Sequence, residues 1–148
     1  MIPIPAYVTR PYLQPVKAST EAAGYDLYAR IDHPLRIAPG DAVRVPTGLH
    51  LELPMNFVAF ITPRSGLADK YRISILNTPG VVDADYRGEI GVLLENRGRS
   101  LFVLEPEERF AQMVILEMPR VVLSFVDCLS DLHTSERGDG GFGSTGRG

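Results

Sequence analysis

Cysteine is almost missing from this chain: Cys128 is the only one in 148 residues. One cysteine excludes an internal disulfide and a cysteine-rich zinc site, and it fits a reducing compartment. Its surroundings, Val121-Val122-Leu123-Ser124-Phe125-Val126-Asp127-Cys128, predict a strand with a buried or half-buried structural thiol, not a nucleophile. Long apolar runs are missing too, none approaching the roughly 18 residues of a membrane-spanning helix. Pro3 and Pro5 stand where a secretory leader has a basic and then an apolar region. The expectation is a cytoplasmic protein with no membrane contact. Positive charge is in short supply, the formal net charge being -3. Such a balance exerts no long-range pull on a nucleic-acid backbone, so the cationic partners of an anionic ligand must be concentrated locally. A small anion fits better than a duplex, and no direct nucleic-acid contact is expected. His33, His50 and His133 are scattered and give no metal or triad spacing.

What is present points to one domain, long enough to bury about two-thirds of the surface its unfolded chain would expose. The apolar fraction is 45% and the charged fraction 22%, so neither disorder nor a fibrous repeat is indicated for the body. Ile2 to Val8 is β-prone but twice interrupted by proline, which suits an edge strand or extended arm. Ala42-Val43-Arg44-Val45-Pro46 follows a Pro-Gly turn, Leu49-His50-Leu51-Glu52-Leu53 alternates strictly, and Phe57-Val58-Ala59-Phe60-Ile61 is near-continuously apolar. Leu67 to Tyr71 is the one place for a short helix. Arg72 to Asn77, Leu101 to Leu104, Phe110 to Met118 and Val121 to Val126 read as further strands. Short strands every 8 to 12 residues or so, punctuated by Pro and Gly, predict an all-β sandwich or barrel. From His133 onward no large aliphatic residue occurs and four of the seven residues 140 to 146 are glycine. We therefore divide the chain into a β-domain, 1–132, and a C-terminal segment, 133–148, that stays mobile until something binds it.

Five stretches carry the candidate chemistry. Asn77-Thr78-Pro79-Gly80-Val81-Val82-Asp83-Ala84-Asp85-Tyr86-Arg87-Gly88-Glu89-Ile90-Gly91-Val92 sets two apolar runs around a polar turn, and predicts a β-hairpin with a functional tip. Asp83 and Asp85 on that tip are explained equally by turn chemistry and by function: an aspartate in an ordinary setting is ionised at pH 7, and can deprotonate a water attacking phosphorus. Pro63-Arg64-Ser65-Gly66 precedes the predicted helix, so that N–H groups and a guanidinium converge as phosphate oxygens require; a plain helix cap at Ser65 is the alternative. Gln112 lies in the apolar run Phe110 to Ile115, where its amide needs a partner. Asp26 falls in Ala23-Gly24-Tyr25-Asp26-Leu27-Tyr28-Ala29, among core-like residues, and a carboxylate there must be paired or near a cation. Arg137-Gly138-Asp139-Gly140-Gly141-Phe142-Gly143-Ser144-Thr145-Gly146 is the fifth.

Taken in order, these segments resemble the five motifs of the homotrimeric dUTPases, over positions 23 to 146. The resemblance implies a distorted jelly roll of the β-clip type, assembled as a trimer whose active sites are shared between subunits. It implies hydrolysis of dUTP to dUMP and pyrophosphate with Mg2+, which keeps uracil out of DNA and supplies dUMP for thymidylate synthesis. Asp83 is then the general base, with Asp85 left to the turn. Tyr86 packs on deoxyribose where a 2′-hydroxyl would sit, and the backbone of the hairpin, from Asn77 through Val82, pairs with the uracil edge. Arg64, Ser65, Gly66 and Gln112 hold phosphates, and Asp26 reaches the metal through water. The tail is a lid: Phe142 stacks on uracil, Gly143, Ser144 and Thr145 hold the terminal phosphate, and Arg137 supplies charge to the transition state. The resemblance gives Arg109 an assisting role on the phosphates, although Glu107-Glu108 stands before it where the family usually has a Gly-Asp pair. A dCTP deaminase on the same scaffold, including one that both deaminates dCTP and hydrolyses dUTP, and a non-catalytic module that binds nucleotides or proteins are the rival readings; Tyr86, Asp83, Arg137 and the glycine-rich tail favour the dUTPase.

Overall fold

Antiparallel strands of three to nine residues carry almost all the regular structure of the chain. The computed structural model describes residues 2–141. In chain order the elements are β1 (Ala6–Val8), β2 (Gly24–Tyr28), β3 (Leu35–Ile37), β4 (Ala42–Pro46), β5 (Leu49–Leu51) and β6 (Phe57–Pro63), then a two-turn helix α1 (Ser65–Tyr71). After it come β7 (Ile73–Ile75), β8 (Gly80–Val82), β9 (Gly91–Asn96), β10 (Phe102–Leu104) and β11 (Arg109–Glu117). Among the described residues no helix is long and apolar enough to cross a membrane.

The strands form four small sheets, in the orders β2-β11-β6-β8, β4-β9-β7, β1-β5 and β10-β3. Alternation explains the arrangement: β9 reads intermediate, buried, intermediate, buried along its length, and its inward residues Val92 and Leu94 meet Ile73, Ile75, Leu104 and Phe110 in one apolar core. The expected all-β architecture with one short α-helix is what the described residues adopt. β1 pairs only with β5, the edge position its prolines require.

One polar side chain sits at the centre of this packing. Asn96 is 0% exposed, and its Nδ2 donates to the carbonyls of Ile37 and Ser100 at 2.9 Å each, while its Oδ1 accepts from the Gly98 N–H at 2.9 Å. Replacing it by Ala strands two carbonyls and one N–H in the interior. Since each lost partner leaves a buried group desolvated, Asn96→Ala is expected to cost about 3 kcal/mol. Denaturant unfolding at constant m-value measures this.

Four expectations are corrected. The stretch 77–92 is not a paired hairpin: β8 is bonded to β6 and β9 to β4 and β7, so residues 83–90 link two sheets instead of closing one. Val121–Val126 is not a strand: it pairs with none of the sheets among the described residues, and Val122 is 90% exposed and Phe125 89%. Cys128, in the same arm, is exposed instead of half-buried. Ser65, finally, does not cap α1: the N-cap is Arg64, without a side-chain capping bond, and Ser65 is the first helical residue.

Candidate functional site

A cleft of about 380 Å³ lies where β8 leaves one sheet and β9 enters the other, lined by Asn77, Val82, Asp83, Tyr86, Ile90 and Arg44. The linking loop that forms its wall is pinned along its length. The Tyr86 N–H donates to the Asp83 carbonyl at 3.2 Å, which closes the 83–86 turn and leaves Asp85 in a turn role. The Tyr86 hydroxyl donates to the Glu89 carbonyl at 2.9 Å, folding the ring over Gly88; a Cβ there would collide with it. Arg87 Nη1 donates to the Ala84 carbonyl at 2.6 Å and the Tyr86 carbonyl at 3.1 Å. His50 Nδ1 lies 3.0 Å from the Arg87 carbonyl, so this nitrogen bears the proton. Thr47 Oγ1 donates to the Ile90 carbonyl at 2.7 Å. None of these bonds uses the Asp83 carboxylate, which is exposed at the cleft: a rigid support with a free acid at its tip.

Glu89 anchors the loop to the body. It accepts both arms of Arg30, at 2.9 and 3.0 Å, and the Gly48 N–H at 2.7 Å. Burial opposes its charge, but the hydrogen bonds from Arg30 and Gly48 outweigh it and hold the carboxyl below its ordinary 4.5. A depressed carboxyl stabilises the fold above its unfolded value, and that contribution disappears as the pH falls through the folded one. Glu89→Gln is therefore expected to lose about 2 kcal/mol at pH 7, with the deficit shrinking below about pH 4. Thermal melts of both proteins at the two pH values check it.

A second cluster sits at the far end of β6. In the central sheet Gln112 stands opposite Asp26 on one side and Thr62 on the other. Strict alternation would turn Arg109 and Gln112 to opposite faces, but the register shifts between Arg109 and Ala111. This bulge buries Phe110 and Ala111 in succession and aims Arg109 at Asp26. Asp26, 9% exposed, accepts from Arg64 Nε on Oδ1 at 3.0 Å and from Arg109 Nη1 on Oδ2 at 3.1 Å. Arg64 Nη1 also donates to the Arg109 carbonyl at 2.8 Å, and Gln112 Nε2 to the Pro63 carbonyl at 3.0 Å. Two guanidiniums are thus presented together on one carboxylate, beside the exposed Ser65 and Gly66.

The two groups of residues stand apart within one chain. Val82 is opposite Ala59 in the first half of β6, whereas Arg64 follows its last residue, a separation along the strand of about 17 Å. That exceeds the length of a triphosphate. Arg137 belongs to neither group, its Nε donating to the Gly140 carbonyl at 2.8 Å. Phe142, Gly143, Ser144 and Thr145 lie outside the described residues. Sequence reasoning missed Arg44, Ile90 and Leu93 in the cleft; only the sheet register, which sets β4 beside β9, brings Arg44 there.

The fold is that of the dUTPase class. The chain superposes with a mutant dUTPase of Staphylococcus bacteriophage 80alpha with dUpNHpp at a TM-score of 0.86 and 22% identity, over 99% of this chain and 100% of that one. It superposes with a mutant dUTPase from phage phi11 of S. aureus, a structure concerned with coordination of a structural Mg(II) ion, at 0.76 and 18% identity over 87% and 99%. In sequence, the dUTPase family profile matches residues 12–146. The deoxyuridine 5'-triphosphate nucleotidohydrolase of Chlamydia trachomatis serovar L2 is 45% identical over 132 residues, 89% of this chain and 90% of its own. The chain belongs to the dUTPase family.

Proposed function

We propose that this enzyme hydrolyses dUTP to dUMP and pyrophosphate in sites built between three copies of the chain. The observation that carries the reading is the cleft gathering Asn77, Val82, Asp83 and Tyr86 in a chain 45% identical to a deoxyuridine 5'-triphosphate nucleotidohydrolase. Uracil pairs with the backbone from Asn77 to Val82. Cytosine presents the opposite donor and acceptor and would leave buried groups unpaired, a mismatch able to discriminate by roughly 10⁴-fold. Tyr86, fixed by its bond to the Glu89 carbonyl, fills the place of a 2′-hydroxyl. Asp83 takes a proton from a water that attacks the α-phosphorus in line; the electron pair of the breaking P–O bond leaves with pyrophosphate. Arg64, Ser65, Gly66, Gln112 and, given its partnership with Asp26, Arg109 hold the phosphate oxygens. These donors offset charge that grows in the transition state. Residues 133–148 form the lid: Arg137 adds its guanidinium, Phe142 covers the uracil, and Gly143, Ser144 and Thr145 hold the terminal phosphate, water being excluded as it closes.

Mg2+ suits this donor set. It keeps several waters and binds through one or two carboxylates plus substrate phosphates, and among the described residues no group of three or more acidic, histidine or cysteine ligands converges, while Asp26 stands beside the phosphate-binding arginines. Asp26 would hold the ion through water, and the ion when bound neutralises charge on the triphosphate.

Two facts support the trimer. Asp83 follows Val82, which lies about 17 Å from Arg64 along β6, a gap that a second copy closes by bringing its own arginine cluster to the nucleotide. The arm 121–126 exposes Val122 and Phe125 almost fully, an apolar surface of the kind that marks contact with another chain. We place the reaction in the cytoplasm, with the nucleotide pool. Phosphorus NMR of the protein with dUTP and magnesium tests the function: pyrophosphate with dUMP is expected, whereas orthophosphate with dUDP would move the chemistry away from the α-phosphorus. Ammonia released from dCTP would instead indicate a deaminase.

A further inference from the structure

The end of α1 meets the turn between β9 and β10 at a cleft of about 560 Å³ lined, among the described residues, by Arg72, Arg97, Gly98 and Arg99. It shares no residue with either part of the nucleotide site. Its frame is held by the backbone. Arg72 closes α1 in the left-handed region, φ 60°, its N–H donating to the Ala68 carbonyl at 3.1 Å and its carbonyl accepting from the Arg97 N–H at 3.0 Å. The turn is tied from beneath by fully buried Asn96, whose Oδ1 accepts from the Gly98 N–H and whose Nδ2 binds the carbonyls of Ile37 and Ser100. A Cβ on Gly98 would lie 2.7 Å from the Tyr71 carbonyl oxygen, so only glycine lets the turn approach the helix end this closely. Arg97 and Arg99 are therefore carried on a fixed turn against Arg72.

Charge is not balanced there. Glu95 Oε2 lies 2.7 Å from Arg97 Nε and compensates that guanidinium; Arg72 and Arg99 have no carboxylate partner among the described residues. Two uncompensated cations share one concavity in a chain whose net charge is -3. The planar fork of arginine matches the oxygens of a phosphate, each pair of N–H groups donating to two of them. We propose that this cleft is a second anion site, separate from the active site, whose ligand is a compact multiply charged phosphate: free pyrophosphate or the phosphate chain of a nucleotide. Two arginines on one turn and a third at the helix end span too little surface for a duplex.

The test uses the full chain with its active site saturated by dUpNHpp. Pyrophosphate is titrated in by calorimetry, and in parallel the backbone amides are followed by NMR. The expected result is saturable binding at one site per chain that moves the Gly98 and Arg99 amides, weakened at least about tenfold in R72Q/R99Q. Arg99→Gln alone, on the exposed turn, serves as the second variant should the change at Arg72 disturb the helix end; it too is expected to weaken binding. A parallel titration with ATP separates the two sources, tighter binding of ATP assigning the site to a nucleotide and tighter binding of pyrophosphate to the free anion. No saturable binding of either, unchanged affinity in the variants, or shifts confined to the Asp83 cleft would overturn the proposal.

Discussion

Asp83→Asn is expected to bind dUTP with near wild-type affinity while kcat falls by roughly 10²–10⁴-fold, the range for loss of a positioned general base. The exchange is isosteric and touches none of the bonds that shape the loop, since the turn uses the Asp83 carbonyl and not its side chain. What it removes is the capacity to take a proton from water at the mouth of the cleft. Binding by calorimetry and turnover by single-turnover kinetics separate the two effects. Turnover that survives would take the base role from Asp83, and a large loss of affinity would make it a binding group instead.

Deleting residues 137–148 is expected to leave the melting temperature unchanged and to lower kcat by about 10³-fold or more, the order of an arginine recruited to a phosphoryl transition state. The described residues removed, 137 to 141, are exposed or half-buried, so the core loses none of them. Arg137→Ala alone is expected to account for most of the loss in kcat. Among the described residues its guanidinium meets only the Gly140 carbonyl of its own segment, which leaves it available to a bound nucleotide. A truncated protein that is fully active would dismiss the lid.

How far the sequence could be read depended on whether a residue's fate was decided locally. Strands with clear alternation, such as Leu49 to Leu51, and the Pro-interrupted edge at β1 were legible because pattern and burial agree. Asp26 was legible as a carboxylate needing a cation, for an isolated buried charge is not tolerated; which cations, Arg64 and Arg109, depends on register. The bulge before Ala111, which aims Arg109 at Asp26, has no local signal, since two successive buried residues in β11 look like an ordinary apolar run. The stretch 77–92 has the texture of a hairpin, yet its two arms pair with β6 and with β4 and β7, a choice made by distant partners. Val121 to Val126 carries strand propensity but pairs with no strand among the described residues. Propensity is a weak guide where the partner lies elsewhere.

Complementation between two inactive variants tests the shared site most directly. Asp83→Asn and Arg64→Ala are purified separately, mixed in equal amounts, dissociated and reassembled, and dUTP turnover is measured. If Asp83 and Arg64 serve one nucleotide from different copies, some interfaces pair an intact Asp83 with an intact Arg64, and about a quarter of wild-type activity is expected from random assembly around a ring. Activity no higher than the mean of the two inactive parents, with mixed assemblies verified by mass, would contradict a site built between copies.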